Sequence, residues 1–267
     1  MRIITLTTDL GTKDSYLASV KGSIYSQLKE VNIIDISHDI DPFNIQQAAY
    51  ILRNCFTDFP IGTVHLISID DELAINKEHV AVKANDHYFV GADNGFFSLL
   101  FNEVKPEKIV KLNISLTNNC MTFAAKNIFV PAACHLARGG LPSVVGKPIN
   151  DIVSKQLYRP IIDNNTIKGM VCYIDKYGNL MTNITKQLFK EVGKNRTFRI
   201  YLTRSEYSIQ YIHQNYNEVP EGERVALFSS TGLLEIAINK GVRGSGGGAS
   251  QLFGISINDI ITVEFKS

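Results

Sequence analysis

Four apolar runs in the first half of the chain each end in carboxylates: IITLTT before Asp9, NIIDIS before His38, Asp39 and Asp41, TVHLISI before Asp70 and Asp71, and HYFVGA before Asp93 and Asn94. Between them lie segments of helical period, DSYLASVKGSIYSQLKE and NIQQAAYILRNCFTDF. Strand and helix alternating in this way predict βαβ units and a mostly parallel sheet. Right-handed crossovers then carry the strand ends to one edge, and in open α/β sheets small molecules bind in the crevice beyond that edge. Carboxylates gathered there suit three tasks: holding magnesium, binding sugar hydroxyls or balancing a cationic ligand. Asp9 stands at the end of the first strand. Gly11 allows the chain to reverse, and Asp14 is placed either to cap the helix that follows or to meet the ligand.

At 267 residues the chain is long for one layered core, which predicts two domains. The βα alternation runs to about Gly146, after which residues 147–168 carry prolines and asparagines with no sustained helical period, so residues 1–150 are read as an α/β domain and 151–168 as a linker. Residues 169–267 carry the short strand patterns GMVCYID, TFRIYL, YSIQYI, RVALFSS, LLEIAI and DIITVEF. They predict a smaller antiparallel β sandwich or barrel. The glycine-rich GSGGGAS at residues 244–250 lacks the Lys-Ser/Thr ending of a phosphate loop; it reads as a surface loop, with a backbone wall for a ligand as the alternative.

With 27 Lys plus Arg against 26 Asp plus Glu, the formal net charge is +1. No global field draws the chain to nucleic acid or to an anionic membrane, and the expected partner is a small molecule. No apolar run approaches the ~20 residues that span a bilayer, and the first residues read as a strand rather than a signal peptide. A cytoplasmic location is expected. Cys55, Cys120, Cys134 and Cys172 stand far apart in apolar surroundings and read as reduced core residues.

Five segments in order, TTDLGTKDSYLASVKG, DISHDIDPFNIQQAAYIL, VGADNGFFSLL, YIDKYGNLMTNI and SSTGLLEIAIN, resemble the S-adenosyl-L-methionine hydroxide adenosyltransferase family, to which the fluorinases and chlorinases are related. The resemblance implies an N-terminal α/β domain, a C-terminal β domain and a homotrimer with active sites between subunits. It implies S-adenosylmethionine as substrate, with no further cofactor, split by water into adenosine and methionine. Carried over by position, Asp9 grips the ribose hydroxyls, Asp14 and Tyr16 lie near the methionine end, and Phe43 packs against the sugar. Asp175 meets the methionine ammonium, Asn179 reads the adenine edge, and Ser230 contacts the amino-acid group. The elementary chemistry agrees: a carboxylate accepts two hydrogen bonds from a cis-diol and pairs with an ammonium. For Asp175 and Asn179 a plain turn between strands is the other reading.

The chain departs from that family in its water-handling trio. The hydrolases have an Asp in a V-D-P-G-V-G turn, an Arg seven residues on, and a His in T-F-H-G-R-D. Here Asp70 keeps the Asp, Lys77 stands at the Arg position, and TFAAKN puts Ala124 at the His position. Asp70 and Lys77 are therefore the expected catalytic residues. A lost general base costs about 10²–10⁴-fold in rate, so the alternatives kept open are a binding protein with little activity and, because clustered aspartates suit it too, a magnesium-dependent phosphohydrolase.

Overall fold

The computed structural model describes residues 1–73, 77–102, 104–114, 122–202, 207–241 and 247–266. The chain forms two compact units, Met1–Leu157 and Tyr158–Ser267.

In the first unit the strands are β1 (Ile3–Thr8), β2 (Asn32–Ser37), β3 (Val64–Ser68), β4 (His79–Ala84), β5 (His87–Ala92), β6 (Lys108–Leu112) and β7 (Gly146–Pro148). They form one sheet in the order β2-β1-β3-β5-β4-β6-β7. The neighbours β2, β1, β3 and β5 run parallel. These are the same four strands whose ends carry the carboxylates, so the crossovers bring Asp9, His38, Asp70 and Asp93 to one edge. Beyond β5 the sheet changes sense. A tight turn at Asn85 and Asp86, both with positive φ, joins β4 to β5 as an antiparallel hairpin, and β6 and β7 continue antiparallel.

Both faces of this sheet are covered. Helices α1 (Tyr16–Gln27) and α4 (Val130–Ala137) pack with Ile4, Leu6, Leu66 and Val90 on one side. Helices α2 (Ile45–Arg53) and α3 (Phe96–Phe101) pack with Ile67, Ile69 and Phe89 on the other. The alternation of Leu66 and Ile67 between two cores is the period of two that a strand imposes, and burial on both faces explains why β1 reads as a continuous apolar run. Helix α1 buries Leu17, Val20 and Ile24, the spacing of one helical face. The Asn44 side chain caps α2 by accepting from the Gln47 amide at 3.0 Å. A short helix α5 (Pro142–Val145) leads into β7.

The second unit contains β8 (Ile161–Asp163), β9 (Thr166–Ile174), β10 (Leu180–Thr185), β11 (Phe198–Tyr201), β12 (Arg224–Phe228), β13 (Leu233–Ile238) and β14 (Ile260–Phe265), with α6 (Lys186–Gly193) and α7 (Ala249–Phe253). Its sheet is antiparallel, ordered β11-β14-β9-β10-β13-β12 with β8 paired to β9. Two details differ from the sequence reading. YSIQYI is no strand: it touches the sheet through one bridge, Ile209 to Ile200, and Tyr211 is exposed. Helix α6 lies inside the region read as purely β; Leu188 and Phe189 pack it on the core and the Thr185 hydroxyl caps it at 3.1 Å. The segment 151–168 divides between the units. Val153 and Lys155 bond to Asp93 and Ser98 of the first, while β8 and the start of β9 belong to the second.

Candidate functional site

Asp9 follows β1 directly, and its amide donates to the Ser68 carbonyl at the end of β3. Its carboxylate accepts the backbone N–H of Phe43 at 2.9 Å. Phe43 has φ +65°, a conformation a bulky residue adopts only under constraint, and its ring is 71% exposed. An exposed aromatic on a strained turn, tied through its amide to a carboxylate, is an arrangement the packing does not need. Gly11, with φ +66°, lets the chain after Asp9 turn back so that its amide reaches the His38 carbonyl at 3.0 Å. His38 is buried and meets Thr8 through Nδ1 at 2.8 Å.

Asp70 also adopts a left-handed φ, +46°, and Asp70 and Asp71 have different partners. The Lys77 ammonium donates to Asp70 Oδ1 at 2.6 Å, so the residues at the Asp and Arg positions of the trio are in contact. The pair is partly exposed and contributes no more than about 1 kcal/mol of stability. Asn94 braces the turn by donating to the carbonyls of Ile69 and Asp70 at 2.9 and 3.0 Å. Asp71 is half-buried; the Ser68 hydroxyl donates to it at 2.7 Å and His79 Nε2 donates to its carbonyl at 2.7 Å. Burial pushes the Asp71 carboxyl above its ordinary range, and the nearby charge of Asp9 adds to the rise against the lowering effects of Ser68 and His79. Burial holds His79 below the usual histidine value. Asp93 turns away from this group. Both its oxygens accept the Val153 amide, at 2.9 and 3.1 Å, which makes it a clamp on residues 153–155.

Asp14 does not cap α1. The cap residue is Ser15 and no side chain bonds there, because the chain enters the helix one residue later than the pattern suggested; Asp14 is left exposed. Tyr16 is 52% exposed and stands edge-on to Phe123 at 5.6 Å. That contact links the first motif to TFAAKN. Ala124 there is buried in the core at the start of the π turn Ala125–Phe129, and Lys126 is half-buried. His135 bonds the Leu141 carbonyl at 3.1 Å and serves the loop after α4. Residues 74–76 of the altered turn, and Cys120, lie outside the described residues; Cys55 and Cys134 are free thiols, and burial raises them to about 11.

In the second unit Asp175 and Asn179 do form the turn between β9 and β10. Asp175 accepts the amides of Tyr177 and Asn179, each at 2.9 Å, and the Asn179 side chain at 3.0 Å. A carboxylate has about four acceptor positions, so these bonds leave room for one more donor. Gly178, φ +86°, passes so close to Gly248 that a Cβ on Gly248 would fall 2.1 Å from the Tyr177 carbonyl. The described part of the glycine-rich segment, residues 247–250, is therefore packed against this turn rather than being a surface loop; the Ser250 amide donates to the Gly178 carbonyl at 2.9 Å. Ser230 is exposed in the β12–β13 turn, whose Ser229 and Thr231 hydroxyls bond at 2.7 Å. One feature escaped sequence reasoning: Glu235, 1% exposed in mid-strand, accepts the Tyr216 hydroxyl at 2.7 Å. Burial raises both groups, Asp175 adds to each rise, and the Tyr216 phenol also gains from its bond to Glu235. The signal was a lone acid inside the apolar run LLEIAI.

Among the described residues no three His, Cys, Asp or Glu side chains come together as a metal-holding group, and no helix is long and apolar enough to cross a membrane. Residues 4–146 match the model of the SAM hydroxide adenosyltransferase N-terminal domain and residues 169–262 that of its C-terminal domain. The (R)-S-adenosyl-L-methionine hydrolase of Methanocaldococcus jannaschii is 32% identical, the match covering 88% of each chain; that of Thermus thermophilus is 29% identical over 90% of this chain and 93% of the relative. A fluorinase of Actinopolyspora mzabensis is 22% identical over 89% and 90%. The crystal structure of an uncharacterized conserved protein from Thermotoga maritima superposes with a TM-score of 0.86 at 29% identity, covering 98% of this chain and 99% of that one. The chain belongs to the SAM hydroxide adenosyltransferase family.

Proposed function

We propose that this protein is an S-adenosyl-L-methionine hydrolase that releases adenosine and L-methionine. The observation that carries the reading is the contact between Asp70 and Lys77, at one sheet edge with Asp9, in a chain whose relatives over nearly its whole length are named hydrolases. In this reading Asp9 holds the ribose diol and Phe43 covers the sugar, which accounts for the strain at Phe43. Asp14 and Tyr16 line the methionine end. Asp175 uses its spare acceptor position for the ammonium, Asn179 meets the adenine, and Ser230 meets the amino-acid group.

Water attacks the ribose 5′ carbon in line with the departing sulfur, the carbon–sulfur bond breaks, and methionine leaves as a neutral thioether that needs no acid. Asp70, steadied by Lys77, orients the water; the proton passes to Asp70 or to solvent. With alanine at position 124 no imidazole takes that proton, so turnover is slower than in a relative with the full trio, by the 10²–10⁴-fold that a positioned base supplies. We further propose a homotrimer, in which the units of neighbouring subunits complete each site as a ring closes head-to-tail contacts, working in the cytoplasm.

The test is to incubate the protein with S-adenosylmethionine and follow the products by chromatography. Adenosine and methionine should rise in equal amounts. Calorimetric binding of S-adenosylmethionine with no adenosine released would replace the hydrolase by a binding protein, the reading that buried Ala124 favours. Failure to bind at millimolar ligand would remove the site assignment itself.

A further inference from the structure

Asp71 occupies the turn position where the family's hydrolases carry a proline, and the function proposed above gives it no task. Its surroundings are specific. The Ser68 hydroxyl fixes one carboxylate oxygen at 2.7 Å, Ser68 itself pairs with Thr8 across β1 and β3, and the next residue on β1, Asp9, lies within electrostatic reach of Asp71. Among the described residues Asp71 makes no ion pair; the nearest cation in sequence, Lys77, is taken by Asp70, and His79 is held toward its neutral form. The charge of Asp70 is thus offset, while among the described residues Asp9 and Asp71 make no ion pair and add up to negative charge beside the ribose position. A half-buried carboxylate without a cation is costly unless a ligand supplies one.

We propose that Asp71 is a specificity-determining residue that makes this edge prefer the sulfonium cation of S-adenosylmethionine to its neutral thioether analogue. This rests on the reading of the edge as the S-adenosylmethionine site. The sulfonium is attached to the ribose 5′ carbon, so a ligand whose diol sits on Asp9 carries its positive charge into the field of Asp9 and Asp71. The thioether analogue, S-adenosylhomocysteine, has the same adenosine and amino-acid groups without that charge. A favourable charge pair strengthens binding of the charged ligand alone, and an affinity ratio of about tenfold is expected from it.

The groups that act on Asp71 are Ser68 from the end of β3, Asp9 just beyond β1 and His79 from β4. Burial raises the Asp71 carboxyl above its ordinary range, so its contribution to the preference fades in acid.

The experiment is calorimetry on the full chain with S-adenosylmethionine and with S-adenosylhomocysteine, before measurable turnover, at pH 7.5. The parent should favour the sulfonium. Asp71→Asn should lose about tenfold of the ratio, nearly all through weaker S-adenosylmethionine binding. Asp71→Glu should keep the preference. An Asp71→Asn protein with the parent's ratio overturns the inference; if that variant does not fold, Asp71→Ser is read in the same way, and the parent's ratio in it overturns the inference equally. A parent that binds neither ligand fails differently, because it removes the site reading and the inference together.

Discussion

The two ends of the parallel strands both carry ionisable side chains and treat them in opposite ways. At the amino end His65, from the start of β3, is fully buried; it meets Thr5 at 2.7 Å and His87 at 3.3 Å, inside a box of Phe56, Phe59 and Phe89. Burial first, then the neighbouring His87, lowers its pKa to about 3, so it is neutral at physiological pH. At the carboxyl end Asp9, Asp70 and Asp71 stay partly open, with left-handed backbone at Phe43 and Asp70. Buried titratable groups alone do not mark a site. The amino end satisfies its polar atoms internally and adds packing, whereas the carboxyl end keeps spare acceptors, unbalanced charge and strain for a ligand to use.

The sharpest way to break this comparison is to damage each end and ask what is lost. Phe89→Ala at the closed end should cost about 3–5 kcal/mol of stability by opening a cavity, read from urea unfolding, while the molecules still folded bind ligand as before. Loss of binding at equal folded fraction would show the ends to be coupled. Asp9→Asn at the open end should do the reverse. Nucleoside affinity should fall by about 1.5–3 kcal/mol, the value of a hydrogen bond to a charged group, or ~10- to 150-fold, with the thermal midpoint nearly unchanged. An unaltered dissociation constant for adenosine would take Asp9 out of the site.

Acid should separate the ends next. Unfolded, His65 takes up a proton near 6.5; folded, only near 3. Between those values the unfolded state binds more protons, so the stability His65 contributes is full above pH 6.5 and falls as the pH is lowered. The slope approaches 1.4 kcal/mol per pH unit, giving roughly 2 kcal/mol between pH 7 and 5. The raised carboxyls of Asp71 and Asp93 oppose it, since they relieve an unfavourable charge as they protonate. Urea titrations should show a shallower pH dependence in His65→Gln; an unchanged slope would assign the acid sensitivity elsewhere. The smallest effect is expected at Asp14. With no cap bond to lose, Asp14→Ala should stay within about 0.5 kcal/mol of the parent, against about 0.5–2 kcal/mol for Asn44→Ala, which removes a real cap. A stability loss as large as that of Asn44→Ala would mean that Asp14 does cap α1.

Much of this was legible in the residues because the signals were local. The four carboxylate-tipped runs predict four parallel strands, and β2, β1, β3 and β5 are those strands. Asn179 and Asp175 read as a turn or a ligand site, and the turn is there, its remaining acceptor capacity leaving the second role available. Less legible was anything set by contacts distant in sequence. YSIQYI has the alternation of a strand but only Ile209 finds a partner; α6 was hidden in a β-rich region because its capping Thr185 ends a strand. Glu235 lies in an apolar strand pattern that names no partner for it; the fold supplies one in the Tyr216 hydroxyl.

The amino-acid sequence by itself determined the fold class, the edge on which the carboxylates collect and the family, since periodicity, strand-end chemistry and ordered motifs are properties of short segments. Only the tertiary structure decided which carboxylates are spoken for. Asp93 is spent on Val153 and Asp70 on Lys77, while Asp71 beside Asp9 makes no ion pair among the described residues. The physical reason is that a side chain's charge is written in its own residue, but its compensation depends on burial and on neighbours that the fold alone brings within a few ångströms.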